Sequence, residues 1–187
     1  MLIENGFKNN IIQQVASNES VLIGKMIHSK KDIEQLIDTL QLSPHPEGGY
    51  YREVYCSEKT VTSPVHGKIR HAMTDIYFLL MAGQKSRFHR IVHDEIWHFY
   101  QGAPLTLIEI NSDTFEMSKV TLGDTDIKLK HLIKGGNWQS AYSNGDYSLV
   151  GCTVAPGFTF SDFSFLTDND LTLESIVKKY PDLKELI

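Results

Sequence analysis

Between Gly49 and Leu166 the chain breaks into about ten short runs rich in β-branched and aromatic residues, among them YYREVYC, TDIYFLLM, RFHRIVH, EIWHFYQ, LTLIEIN, WQSAYS, YSLVGCTV and FTFSDFSF. Turn-forming residues separate them: Ala82-Gly83, Gly102-Ala103-Pro104, Gly123-Asp124, Gly135-Gly136, Asn144-Gly145-Asp146 and Pro156-Gly157. Asn144-Gly145 is the sharpest hairpin signal, because both residues tolerate positive φ. No helical period interrupts this succession, so the pattern predicts an all-β domain built as an antiparallel sandwich, jelly roll or barrel. Helical spacing appears only at the flanks. Ser29 can cap a helix whose apolar face is Ile33, Leu36, Ile37 and Leu40, and Leu173, Ile176, Val177 and Tyr180 form the face of a terminal one. The first helix must end before Pro44, and SPHPEGGYY then reads as a loop entering a strand. Residues 1–28 are polar and mixed, an extension to which no chemistry is assigned; residues 29–187 form one domain with flanking helices.

A chain of 187 residues with 41% hydrophobic content can bury one sizeable core. Its net charge of −5, with no run of Lys and Arg interleaved by aromatics, offers no footprint for nucleic acid or for an anionic membrane. A small-molecule ligand is the expected partner. No apolar run approaches the roughly 20 residues of a bilayer crossing, and MLIENGFKNN lacks the basic and apolar regions of a secretory signal. Cys56 and Cys152 both sit in strand-like runs and are expected as reduced thiols of a cytoplasmic protein, filling the core.

The segment GQKSRFHRIVHDEIWHFYQG, from Gly83 to Gly102, concentrates His89, His93, His98, Asp94 and Glu95. Its spacing resembles the first motif of the cupin superfamily, Gly-x5-His-x-His-x3-Glu-x6-Gly, matched at Gly83, His89, Glu95 and Gly102 with Ile91 in place of the second histidine. The second cupin motif is loosely echoed by GCTVAPGFTFSDF, whose histidine position falls on Asp162 or on Ser161 according to where the count starts. With PHPEGGYYRE, DEIWHFYQG and SLVGCTVAPGF in order, the chain resembles the Cupin_5 family of uncharacterised cupins. The resemblance implies a double-stranded β-helix, a small jelly-roll barrel with N- and C-terminal helices beside it, a ligand pocket at its mouth, and assembly as a homodimer. It does not fix an activity, since cupins range from metal dioxygenases to metal-free epimerases and storage proteins.

Alternation along a strand puts His89, Ile91 and His93 on one face, and Glu95, Trp97 and Phe99 on one face of the next strand, with His98 opposite. The cupin match implies that His89 and Glu95 face the interior, so they are expected in the pocket as an acid/base pair; His93, beside the turn, is expected to be exposed. Phe158, Phe160 and Asp162 would share a strand face, where a carboxylate requires a partner such as His89 or Arg70. Asp162 joins His89 and Glu95 as the candidate catalytic set; Arg70, Trp97, His98 and Trp138 are candidate ligand-binding residues. The functions open at this point are a metal-independent isomerase or epimerase acting on a sugar-like or small polar substrate, a metal-dependent oxygenase or isomerase, and a non-enzymatic binding or storage protein. Because Ile91 offers no donor atom, no metal and no other cofactor is expected.

Overall fold

The computed structural model describes residues 30–123 and 127–187. The chain divides into two compact units at Thr39/Leu40, each taken by itself. Helix α1 covers residues 30–40, all but the last of them in the first unit, and Ile33, Leu36 and Ile37 are less exposed than their neighbours, as the helical spacing requires. Ser29, the expected cap, and the extension 1–28 lie outside the described residues. Gln41 takes a positive φ of 54°, a left-handed conformation that ends the helix.

The second unit, Leu40–Ile187, is the β-domain. Its strands are β1 (Ser43–Pro44), β2 (Tyr50–Cys56), β3 (Thr60–Thr62), β4 (Ile69–His71), β5 (Thr74–Met81), β6 (Lys85–Ile91), β7 (Asp94–Gly102), β8 (Leu105–Ile110), β9 (Met117–Leu122), β10 (Lys130–Ile133), β11 (Trp138–Ser143), β12 (Tyr147–Ala155) and β13 (Phe163–Phe165). They form a six-stranded sheet ordered β1-β2-β5-β12-β7-β10 and a five-stranded sheet ordered β13-β6-β11-β8-β9. The order within each sheet is not the chain order, because successive strands cross between the two sheets. This is the jelly roll of a double-stranded β-helix. β3 and β4 make a separate hairpin, which the sequence pattern did not reveal: Val61, Val65 and Ile69 are exposed, so no buried face imposes an alternation.

Alternate residues of both sheets meet inside. Phe78 and Leu80 of β5, Trp97 of β7, Leu105 and Leu107 of β8, and Val150 and Cys152 of β12 belong to one buried cluster that closes one end of the barrel. A second cluster lies on the outside of the five-stranded sheet, where Phe88, Ile108, Ile110 and Trp138 meet Leu166, Ile176 and Leu183. The terminal helix α2 (Asp170–Lys179) supplies that cover. It is capped by Asn169, whose side chain accepts from the Thr172 N–H at 3.2 Å, and carries Lys178 and Lys179 in its last turn, the polarity that the helix dipole favours.

The run FTFSDFSF is not one strand. Residues Phe160–Asp162 form a 3-10 turn and only Phe163–Phe165 pairs with β6. The main-chain carbonyl of Asp162 accepts from the Val92 N–H at 3.1 Å, so this turn is tied to the β6–β7 corner.

Candidate functional site

The open end of the barrel holds a cavity of about 500 Å³. Three parts of the chain build it: the strands β2, β5, β6, β7 and β12, with His71 of β4; the β1–β2 loop; and the segment Phe158–Phe163. Alternation places His89 and Ile91 of β6 and Glu95 of β7 inward, and all three line the cavity as the sequence predicts. The loop SPHPEGGYY adds His45 and Glu47. It is folded back tightly, the Gly48 N–H donating to the His45 carbonyl and the His45 N–H to the Gly49 carbonyl, both at 3.0 Å. The Arg87 N–H donates to the Glu47 carbonyl at 2.9 Å and fastens the loop to β6. Gly48, at φ +114°, sits where a Cβ would overlap the Lys85 carbonyl oxygen. Only glycine lets the loop lie that close.

This loop delivers Glu47 to His89, with Oε2 3.2 Å from Nε2. The other ring nitrogen, Nδ1, lies 2.8 Å from the Arg87 carbonyl oxygen. A carbonyl can only accept, so Nδ1 carries the ring proton and Nε2 presents its lone pair to Glu47. Both groups are almost fully buried. Burial pushes the Glu47 carboxyl up to about 7, against the opposing pull of His45, Ser86 and Arg87, and burial holds His89 below its ordinary value. Below about pH 7 the proton of the pair therefore sits on Glu47, facing Nε2. The His89 ring also stacks on Phe163, with centroids 5.1 Å apart and planes at 18°.

Glu95 is likewise buried and its carboxyl raised, chiefly by desolvation. The Gln139 amide donates to Glu95 Oε2, and the Trp97 indole N–H donates to Gln139 Oε1 at 3.0 Å. Trp97 is 1% exposed and does not line the cavity. Its effect on the site runs through Gln139, which crosses from the opposite sheet to orient Glu95. Cys56 and Cys152 are both free thiols on the cavity wall, and burial pushes the Cys152 thiol far up, so it stays protonated. Tyr51, Phe158, Phe160 and Phe163 supply the aromatic lining.

The expected placements of Asp162, Arg70, His98, Trp138 and His93 require correction. Asp162 points out of the barrel, because the 3-10 turn breaks the alternation that would have aligned it with Phe158 and Phe160. Its carboxylate is gripped by Arg70, with Nε to Oδ2 at 2.7 Å and Nη2 to Oδ1 at 2.6 Å. Arg70 hydrogen bonding holds that carboxyl below its ordinary range, so Arg70 is spent on Asp162 and neither residue lines the cavity. His98 faces outward on β7, 3.0 Å from Thr153 Oγ1, which donates to Asp75 Oδ1 at 2.5 Å. Trp138 lies in the core beneath α2, with the Arg90 guanidinium 4.6 Å over its ring. His93, expected in solvent, is 4% exposed and its Nε2 lies 2.8 Å from Ser63 Oγ, because the β3–β4 hairpin covers it. Glu47 and His45 were missed altogether. The available signal was a histidine and an acid held between two prolines and a Gly-Gly pair, a loop too constrained to be a mere connection.

A metal in the barrel, which the cupin fold suggests, does not fit these donors. Ile91 stands where a second imidazole would be needed, and the ligand atoms of His89, Glu47 and Glu95 do not converge on one point. Among the described residues, the His/Cys/Asp/Glu group whose ligand atoms converge lies elsewhere, at His66, His93 and Asp162.

The family model that matches this chain is Cupin_5, described as "Cupin superfamily (DUF985)", over residues 34–166. A solved structure from Shewanella oneidensis, protein SO0799, is 36% identical with a TM-score of 0.71, covering 82% of this chain and 95% of that one. A hypothetical protein from Leishmania major gives 34% identity, the same TM-score of 0.71, and coverage of 82% and 95%. An uncharacterised protein of Saccharomyces cerevisiae, YML079W, is 27% identical over 154 residues, 74% of this chain and 77% of the yeast protein.

Proposed function

We propose, from the premise that the chain belongs to the Cupin_5 family of the cupin superfamily, that its barrel is a small-molecule site for metal-independent proton transfer. The reaction would be of isomerase or epimerase type, on a sugar-like or small polar carbonyl compound. The observation that carries this reading is the buried Glu47–His89 pair at 3.2 Å, one proton between two basic atoms at the floor of an aromatic-walled cavity. His89 Nε2 takes the proton from the carbon next to the substrate carbonyl while Glu47 donates its own proton to the carbonyl oxygen. The product is a neutral enediol. Return of a proton to carbon from His89, with Glu47 recovering the hydroxyl proton, completes an isomerisation and restores both groups. Glu95, held by Gln139, is placed to hydrogen-bond a substrate hydroxyl. The lining contains Glu47, Glu53 and Glu95 and neither Lys nor Arg, which favours an uncharged substrate, since an anion would find no counter-charge.

The test is exchange in deuterated water. Neutral aldoses, ketoses and small hydroxy-ketones are incubated with the protein and followed by proton NMR for loss of the signal next to the carbonyl. His89→Gln should lower that exchange at least about 100-fold, and Glu95→Gln should keep the fold while weakening saturation by the same compound. Binding without exchange would leave a carrier rather than an isomerase, and no binding of any such compound would remove the reading.

We further propose that the protein works as a homodimer. Ile96 of β7 and Leu132 of the edge strand β10 are cross-strand partners on the outer face, and both are exposed, as is Tyr100 nearby. An apolar patch beside an open strand edge is the kind of surface a second copy covers. Light scattering should give twice the 21.2 kDa of one chain, and an Ile96→Lys variant should return the mass of one; a single-chain mass for the unaltered protein would refute it. The two free thiols suit a reducing compartment such as the cytoplasm.

A further inference from the structure

We propose that the protein has a zinc-class metal site outside the barrel, formed by His66, His93 and Asp162. The three residues come from three separate segments: the β3–β4 turn, the β6–β7 corner and the 3-10 turn before β13. Nothing local brings them together. His66 Nε2 lies 3.4 Å from Asp162 Oδ1, His93 Nδ1 lies 3.7 Å from Asp162 Oδ2, and one ligand atom from each residue lies within 4.8 Å of the others. Metal–ligand bonds of about 2.0–2.1 Å in a tetrahedral site put ligand atoms about 3.4 Å apart. The two distances to the Asp162 oxygens are close to that edge and longer than a good hydrogen bond, and the two imidazoles would close in from within 4.8 Å on binding the ion.

The surroundings orient these donors as a metal site requires. His93 Nε2 is 2.8 Å from Ser63 Oγ. With the ring proton on Nε2 donating to Ser63, Nδ1 turns its lone pair toward Asp162, and a cation between them relieves the facing of two electron-rich atoms. Arg70 fixes the carboxylate plane through Nε and Nη2, leaving the other lone pairs of both oxygens free. Ser63, His93 and Asp162 also have the order of a nucleophile, base and acid, but Ser63 is 1% exposed and cannot meet a substrate. Its hydroxyl is an orienting partner. A cleft of about 320 Å³ lies on the Asp162 side of the group, bordered also by Ser161, Ser164 and Arg90, and a water entering from it would be the fourth ligand.

Two imidazoles and one carboxylate select zinc or cobalt over calcium or magnesium. The bound ion clamps the β3–β4 hairpin to the barrel. His71, which ends the hairpin, and Cys56, which ends β2 just before it, line the barrel cavity, so the clamp also steadies the mouth of the site. The expectation from sequence that the chain holds no metal rested on the barrel interior, where Ile91 replaces a ligand; this site is built from residues that the cupin motifs do not include, apart from Asp162.

The experiment uses the full chain after chelator treatment, titrated with zinc chloride in a calorimeter and with cobalt(II) in a visible spectrometer. One metal per chain is expected, with the intense absorption of tetrahedral cobalt and a rise in melting temperature. His66 is half-buried, so His66→Ala should fold normally; its affinity should fall by at least about 100-fold, since even an orienting partner is worth 10–100-fold. Ser63→Ala should lose about 10–100-fold, and His89→Gln, in the barrel, should bind as the unaltered protein does. No metal uptake at micromolar concentrations would overturn the proposal, as would uptake insensitive to His66→Ala or abolished by His89→Gln.

Discussion

A Glu47→Gln variant should be more stable than the unaltered protein at pH 8 by about 3 kcal/mol, and nearly equal to it at about pH 4. The sign follows from where the proton is held. The Glu47 carboxyl is raised from 4.5 to about 7 in the folded chain, mainly by burial. Below 4.5 the group is protonated in both the folded and the unfolded chain and exerts no pH-dependent effect. As the pH rises toward 7 the unfolded chain loses the proton freely while the folded chain resists, so folding loses stability across that interval. Glutamine keeps the shape and a hydrogen bond to His89 Nε2 but never ionises. His45, His89, Arg87 and Glu95 face the same group and remain in both proteins, so the difference between the two stability curves isolates Glu47. Urea unfolding at intervals from pH 4 to 8 measures it. If the variant is no more stable than the unaltered protein at pH 8, folding does not raise the Glu47 carboxyl, and the shared-proton pair on which the proposed chemistry depends is absent. A side chain that costs stability at neutral pH is retained for what it does, not for what it holds together.

The barrel was legible in the sequence wherever alternation governs. In β7 one face is buried, so Glu95 could be placed by alternation, whereas β6 is buried on both faces and it was the cupin spacing that turned His89 and Ile91 inward. Counting failed where a strand had already ended. β6 stops at Ile91, and His93, two residues on, is oriented by the corner and covered by a hairpin that carries no apolar signature. Asp162 failed for the same reason, since a 3-10 turn rotates each residue by about 120° where a strand alternates by 180°. Trp97 was correctly turned inward, but Gln139 from the opposite sheet lies between it and the cavity, a contact between strands 42 residues apart in sequence. Such contacts are set by sheet packing and leave no local trace. Glu47 was hidden differently: its loop has no period at all, and its aim is fixed by backbone hydrogen bonds to β6 that only the fold supplies.

That dependence on the loop makes Gly48 the most sensitive backbone position of the site. Gly48→Ala should destabilise the protein by about 2–5 kcal/mol, combining about 1–2 for a left-handed residue with a Cβ and about 1–3 for forcing apart packed backbone. Gly67, in the β3–β4 turn, provides the comparison. It has φ +73° but open space around the position a Cβ would take, so Gly67→Ala should cost only the conformational part, about 1–2 kcal/mol. The two variants share the positive-φ strain and differ in the clash with the Lys85 carbonyl oxygen, so their difference measures how tightly the loop is pressed onto the start of β6. The effect should also reach the chemistry. Relief of the clash must move the loop outward, carrying Glu47 away from His89 and admitting water to the ring, and the desolvation that holds His89 below its ordinary value should then relax. Histidine NMR across pH 4 to 8 would show this as His89 titrating higher in Gly48→Ala and unmoved in Gly67→Ala. Equal stability losses in the two variants, with an unchanged His89 titration, would mean that the loop is free to adjust and that glycine is not what seats Glu47 in the barrel.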